Sequence, residues 1–311
     1  AYLPWIMVVA GIVFLAKGAD WLVDGASRIA LRLGISPFVV GLTVVGFGTS
    51  MPEFAVSVVA SLRGSGGLSL GNAVGSNIMN LLLVLGVAAV LAPIQVLGSR
   101  RALWRDLLFG LVPAAILIVS AWDGDIERSW AVLLLVVFAT FIAVTCIQAR
   151  RGEGAPTVVT GSPIRHGFMT VVGILVLVTG SEMMVSGGVD LAHRFGVSDA
   201  IIGLTIVAFG TSLPELATSV TAALKGQSEI SVGNVLGSNV FNLGLIVGTA
   251  FTIRPMTVPS IVIRHDIPFL IAATLVIGIV VLRDRKISRF EGAGMLVTVA
   301  TYLVFVVIRG G

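Results

Sequence analysis

Apolar residues run along this chain in long blocks rather than in alternation or narrow stripes. Blocks at 107–122, 130–147 and 266–282 reach 18 residues or more with their flanks. A bilayer core about 30 Å thick takes about 20 apolar residues per helix, so each block reads as a transmembrane helix. Barrel strands would alternate apolar and polar positions over about ten residues, and these blocks are apolar all round. The pattern predicts ten spans, at roughly 4–30, 37–62, 68–92, 104–122, 129–149, 164–195, 199–224, 230–252, 265–282 and 291–309. The first carries Lys17, Asp20 and Asp24 and lacks a cleavage site after a short apolar core, so it reads as a span and not a signal peptide. Residues 150–163 (RRGEGAPTVVTGSP) are polar and rich in Gly and Pro, and read as a linker.

The ten blocks are two sets of five. Residues 41–86 (GLTVVGFGTSMPEFAVSVVASLRGSGGLSLGNAVGSNIMNLLLVLG) align without a gap to 203–248 (GLTIVAFGTSLPELATSVTAALKGQSEISVGNVLGSNVFNLGLIVG), with 26 of 46 positions identical. The offset is 162 positions, and it persists upstream, where Gly18, Asp20, Gly25, Gly34 and Ser36 face Gly180, Glu182, Gly187, Gly196 and Ser198. Five is odd, so the second copy enters the membrane from the opposite side. The copies are then related by a pseudo-two-fold axis in the membrane plane, with sites expected near the midplane where they meet. The expected organisation is 1–149 as the first five-helix repeat, 150–163 as a cytoplasmic linker, and 164–311 as the second, inverted repeat. With both termini outside, cytoplasmic loops hold 13 of the Lys and Arg residues and outside loops hold 6, as basic loops on the inside require.

Composition agrees with this class. The chain is 56% hydrophobic and 12% charged, against about 45–50% and 25% in soluble domains. The net charge of +4 does not point to nucleic acid, because the basic residues sit in short loops between spans. The single cysteine, Cys146, excludes an internal disulfide and reads as a small residue packed in a span.

Two glutamates stand out against that apolar background. GFGTSMPE (46–53) and AFGTSLPE (208–215) place Glu53 and Glu215 inside spans, where a charge costs about 2.5–3.5 kcal/mol on insertion scales. No Lys or Arg lies at comparable depth in spans two, three, seven or eight, so a bound cation is the simplest compensation. Pro52 and Pro214 each free the carbonyl four residues back, at Gly48 and Gly210. Unwound turns expose carbonyls near Gly46 and Ala208, and Thr49, Ser50, Thr211 and Ser212 add hydroxyls. In GNAVGSNIMN (71–80) and GNVLGSNVFN (233–242), Ser76 and Asn80 share a helix face, as do Ser238 and Asn242. This all-oxygen set suits hard cations such as Ca²⁺ and Na⁺. Asn72, Asn77, Asn234 and Asn239 read equally as ligands or as interhelical hydrogen-bond glue. Asp20 and Glu182 are matched across the repeats and are candidates for a gating, interfacial or proton-linked role. Asp106, His265 and Asp266 read as solvated span ends.

The paired motifs GTSMPE…GNAVGSNIMN and GTSLPE…GNVLGSNVFN resemble the two alpha-repeats of the sodium/calcium exchanger branch of the calcium/cation antiporter superfamily. The resemblance implies an all-α membrane protein of ten helices in two inverted repeats. It also implies a secondary antiporter, with no enzymatic activity and no cofactor, that exchanges Ca²⁺ for Na⁺ across the cell membrane and functions as a monomer. Carried over by motif, the ligands of its four-site ion cluster are Glu53, Glu215, Thr49, Ser50, Thr211, Ser212, Ser76, Ser238, Asn80 and Asn242, plus the carbonyls near Gly46 and Ala208. Spans one and six would slide across this core to alternate access. Sodium-coupled members carry Asp where this chain has Asn242, so the site charge is −2, matching one Ca²⁺ or two Na⁺. Proton-coupled relatives read GNAVE-like sequences at the repeat glutamates, which this chain lacks.

Three rival readings remain. A Ca²⁺/H⁺ antiporter would use the same glutamates. A channel would need a continuous pore. An intramembrane enzyme lacks a serine–histidine pair, since His166 and His193 fall in expected loops and His265 at a span end.

Overall fold

A computed structural model of the protein describes residues 2–96, 100–120, 125–149, 162–195 and 208–310. Its long helices are α1 (Leu3–Leu33), α4 (Gly66–Leu91), α5 (Arg100–Ser120), α6 (Arg128–Ala149), α7 (Pro163–Arg194), α10 (Ser228–Ile253), α11 (Val262–Asp284) and α12 (Arg289–Gly310). Between α1 and α4 lie two half-helices, α2 (Pro37–Thr49) and α3 (Met51–Leu62), bent by 47° at their junction. Their counterparts before α10 are α8 (Ala208–Thr211) and α9 (Leu213–Leu224). Among the described residues, eight helices are long and apolar enough to cross a membrane, or nine with the bent pair as one span. The first part of the expected seventh span, 199–207, lies outside the described residues, as does the expected linker up to residue 161.

The bend follows from its sequence. Pro52 and Pro214 have no N–H to donate to the preceding turn. At the break, Ser50 (φ −83°, ψ 6°) and Ser212 (φ −86°, ψ 4°) hold the same non-helical conformation. Each half-helix restarts immediately afterwards, with Glu53 or Glu215 in its first turn.

Contacts between equivalent elements establish the inversion. A Cβ on Gly11 would lie 2.7 Å from the carbonyl oxygen of Gly180, and one on Gly18 would lie 2.9 Å from that of Gly173. Gly11 and Gly18 of α1 are the repeat counterparts of Gly173 and Gly180 of α7, so the two helices cross backbone to backbone and antiparallel. Four short strands obey the same symmetry. β1 (Ile94–Gln95) pairs antiparallel with β4 (Lys286–Ile287), and β2 (Asp125–Ile126) with β3 (Met256–Thr257). Each pair joins one repeat to the other.

Burial divides the helices by depth. In their apolar windows, 72% of α4 and 89% of α10 is buried, against 22% for α6 and 17% for α12. The first two form the inner pair, and the last two present apolar faces outward, as a lipid-facing helix does. Leu70, Val74, Ile78, Leu81 and Leu85 of α4 share one apolar cluster with Val232, Val235, Val247 and Phe251 of α10. A second cluster binds α1 and α7 to this centre through Leu15, Leu22, Leu177, Leu213 and Ile230.

Three expectations are corrected. Cys146 lies in α6 but is exposed, because α6 turns much of its surface outward. His166 sits in the first turn of α7 and is buried, and His193 lies in its last turn. Asp106 and Asp266 are both buried, because α5 and α11 begin at Arg100 and Val262, before the expected span starts, and so place both aspartates a turn or more inside a packed helix.

Candidate cation site

Glu53 and Glu215, both fully buried, sit where the two broken helices meet the inner pair. Their positions at half-helix N-termini give each carboxylate the positive end of a helix dipole. The two are close enough to act on each other electrostatically. Glu215 Oε1 accepts hydrogen bonds from Ser50 Oγ (3.1 Å) and Ser238 Oγ (3.3 Å), while its Oε2 has no partner. Neither oxygen of Glu53 accepts a bond of good geometry, although the hydroxyls of Thr211 and Ser76 face it.

The backbone under each glutamate is held identically. Asn72 Nδ2 donates to the Glu53 carbonyl (3.2 Å) and to Ser57 Oγ (3.0 Å). Asn234 Nδ2 donates to the Glu215 carbonyl (3.3 Å) and to Ser219 Oγ (2.9 Å). These two asparagines fasten the restarted half-helices to the inner pair. Asn234 Oδ1 also accepts from Thr49 Oγ1 at 3.0 Å.

Between α4 and α10 runs a belt of four amides. Asn77 and Asn239 each donate to the other's backbone carbonyl, at 3.0 and 3.4 Å. Asn80 Nδ2 donates to Asn239 Oδ1 (3.2 Å), and Asn242 Nδ2 donates to Asn77 Oδ1 (2.9 Å). With their NH₂ ends engaged, Asn80 and Asn242 are left with buried Oδ1 atoms that no protein group bonds. Both residues open π-helical turns or lie within one, at Asn80–Val84 and Phe241–Ile246. Such turns recur at functional sites.

The unpartnered oxygens decide what the cluster can do. Both Glu53 oxygens, Glu215 Oε2, Asn80 Oδ1, Asn242 Oδ1, Thr211 Oγ1 and Ser212 Oγ are buried without a hydrogen bond in the protein. A buried unsatisfied polar atom costs about 1–3 kcal/mol, and a charged one more. Five of these seven are carboxylate or amide oxygens, which can only accept, and the other two are hydroxyls with lone pairs to offer; a positive ion satisfies them together. Among the described residues no three His, Cys, Asp or Glu cluster, so neutral oxygens must complete any cation's shell, as hard cations permit.

Of the remaining expected residues, Thr49, Ser50, Ser76 and Ser238 are buried beside the glutamates. The Gly46 carbonyl is already engaged by Ser50 N (3.1 Å) and Ser238 Oγ (3.4 Å). The carbonyl of Gly210 is taken by Ser181 Oγ of α7 at 2.7 Å. Ala208 opens α8. Sequence reasoning did not single out Ser181, Ser57 or Ser219, whose partners lie 12 or more residues away, and left Asn77 and Asn239 undecided.

A family model described as sodium/calcium exchanger protein matches residues 3–147 and again 166–309. Inner membrane protein YrbG of Escherichia coli (strain K12) is 33% identical over 307 residues, covering 94% of this chain and 92% of that protein. Sodium/calcium exchanger MaX1 of Methanosarcina acetivorans is 32% identical over 342 residues, covering 96% and 97%. Among solved structures, the sodium/calcium exchanger from Methanococcus jannaschii superposes with a TM-score of 0.85 at 31% identity, over 97% of this chain and 98% of that one. Since both halves of the chain match the family model and the fold agrees from end to end, the protein belongs to the sodium/calcium exchanger family.

Proposed function

We propose that the protein exchanges Ca²⁺ for Na⁺ across a cell membrane by alternating access to one central site. The observation that carries this reading is the pair of fully buried carboxylates, three of whose four oxygens have no partner in the protein. The first ligands are Glu53 and Glu215. Asn80 and Asn242 add carbonyl oxygens aimed by the amide belt, and Thr49, Ser50, Ser76, Thr211, Ser212 and Ser238 add hydroxyls. The carbonyl at Ala208 completes the set, together with that at Gly46 once the Thr49 and Ser238 hydroxyls turn from it to the cation.

Antiport follows from electrostatics. With no cation bound, two negative charges face each other in a medium of low dielectric, and moving the surrounding helices past them is costly. One Ca²⁺, or Na⁺ ions in its place, removes that penalty, so only loaded forms cross. The two cations compete for the same oxygens and take turns. In this reading residues 1–149 and 164–311 are the inverted halves, 150–163 is a cytoplasmic linker, both termini lie outside, and one chain suffices.

The test is Ca²⁺ uptake into proteoliposomes loaded with Na⁺. Uptake should depend on the Na⁺ gradient, stop when choline replaces Na⁺, and be lost in Glu53→Gln and Glu215→Gln. Uptake that follows an imposed pH gradient and ignores Na⁺ would replace Na⁺ with H⁺ as the counter-ion.

A further inference from the structure

One buried carboxylate near the amide belt is not used by the cation site. Asp106, in the second turn of α5, is 2% exposed. Its Oδ1 accepts from Arg105 Nε at 2.6 Å, and Arg105 also reaches Gln148 of α6. Its Oδ2 is buried and has no partner in the protein. Asp106 lines a narrow cavity of about 20 Å³, whose other polar walls are Asn77 of α4, Asn239 of α10 and Thr274 of α11. The rest of the lining is Gly110 and leucine side chains.

Volume and charge together select the occupant. A single water needs about 10–15 Å³ by this measure and two to four polar partners, and a hydrated ion needs more room. Arg105 already neutralises Asp106, so no cation is required there. A proton donor is required. Asp106 Oδ2 can only accept while ionised. Thr274 Oγ1 gives its own proton to the Leu270 carbonyl at 2.7 Å and keeps lone pairs. Asn77 Oδ1 and Asn239 Oδ1 each accept one amide and have a second lone pair open. A neutral molecule with two protons fits these acceptors.

We propose that Asp106 is a positioning residue. It holds one water in this cavity and through that water braces Asn77 and Asn239, the two amides that aim the Asn80 and Asn242 carbonyls at the cation. The proposal rests on the cation reading above for its effect on transport, but its geometry stands without it. Asp106 thus sets how well the neutral oxygens are presented, while the glutamates supply the charge.

Two measurements test it. A map at about 2 Å or better should show density within hydrogen-bond distance of both Asp106 Oδ2 and an Asn77 or Asn239 amide. Absence of that density overturns the proposal, and so does an anomalous signal there after a Tl⁺ soak, which would make the occupant a cation. In flux assays, Asp106→Leu should raise the Ca²⁺ KM about tenfold, or about 1.4 kcal/mol, with kcat within about two-fold. Asp106→Asn, which can still hold a water, should recover most of that affinity. An unchanged KM in Asp106→Leu, or a loss in kcat alone, overturns the positioning role. The density decides the matter if Asp106→Leu does not fold. If the wild-type protein moves no Ca²⁺, the exchanger reading fails, and the map still settles the water.

Discussion

Glu53→Gln separates a carboxylate that serves a cation from one that serves the fold. The substitution removes one of two charges at the site and breaks no hydrogen bond of good geometry inside the protein, and a glutamine oxygen can still face the Thr211 and Ser76 hydroxyls. At a Ca²⁺–oxygen distance of about 2.4 Å and an effective dielectric of about 20, a divalent ion gains about 14 kcal/mol from one carboxylate before its dehydration is counted. Dehydration offsets most of that. Breaking a buried charge pair by removing one partner costs about 3–5 kcal/mol net. At 1.4 kcal/mol per decade, Ca²⁺ affinity should fall by roughly two to three and a half orders of magnitude. The assay is thermal unfolding of purified protein, with Ca²⁺ titrated against chelator. A ligand that binds only the folded form adds about 2.7 kcal/mol at 100 times its Kd, so the wild-type Tm should climb with Ca²⁺. The variant should start higher than wild type in chelator, since an uncompensated buried charge is gone, and should then stay flat. Two results would refute the reasoning. A Ca²⁺ response in Glu53→Gln as large as that of the wild type would remove Glu53 from the ligand set, and a variant less stable than wild type in chelator would make Glu53 a structural hydrogen-bonder.

Three further outcomes are expected. Gly18→Leu places carbon where a Cβ alone lies 2.7 Å from Leu177 N; it should part α1 from α7, cost about 1–3 kcal/mol and lower Tm, whereas Gly167→Ala, with nothing within 4 Å, should not lower it. Asn77→Ala leaves Asn242 Nδ2 and the Asn239 carbonyl without their partners; the Ca²⁺ KM in flux assays should rise about tenfold, since one unsatisfied buried group costs about 1–3 kcal/mol. Lys225, at the end of α9, bonds Asp20 and, at 2.7 Å, Asp24, both on α1. Burial opposes its charge, but these two carboxylates outweigh burial and raise its pKa above the ordinary 10.5. A raised pKa means the contribution is complete below 10.5 and fades only as pH rises through the folded value. Exposed pairs contribute about 0.2–1 kcal/mol each, so the small Tm deficit of Lys225→Met should be constant from about pH 6 to 9 and shrink only in strong alkali.

The fold and the acidic centre were legible because both rest on local signals. A 20-residue apolar block declares a span by its own length, and a Pro–Glu pair inside it declares a break and a charge. Repetition at a fixed offset then supplied the inversion from counting alone, and the crossing of Gly11 with Gly180 and Gly18 with Gly173 is its physical expression. Asp106 was illegible because hydropathy cannot report which neighbour covers a residue at a span end; α4, α10 and α11 close over it. The amide belt was half legible. Asn77 and Asn239 stand 162 residues apart, yet only contact between α4 and α10 shows that they turn the other two carbonyls inward. What two closely matched motifs could not disclose at all is that they are used differently. Ser50 and Ser238 donate to Glu215 with good geometry, while of their counterparts Ser212 Oγ has no partner and Ser76 only faces Glu53. Inverted copies view one site from opposite faces of the membrane, so a conformation that favours one face must treat them unequally. Matching sequence with unmatched bonding is what the proposed alternating access requires: exchanging the roles of the two copies would turn one access state into the other using interactions the chain already possesses.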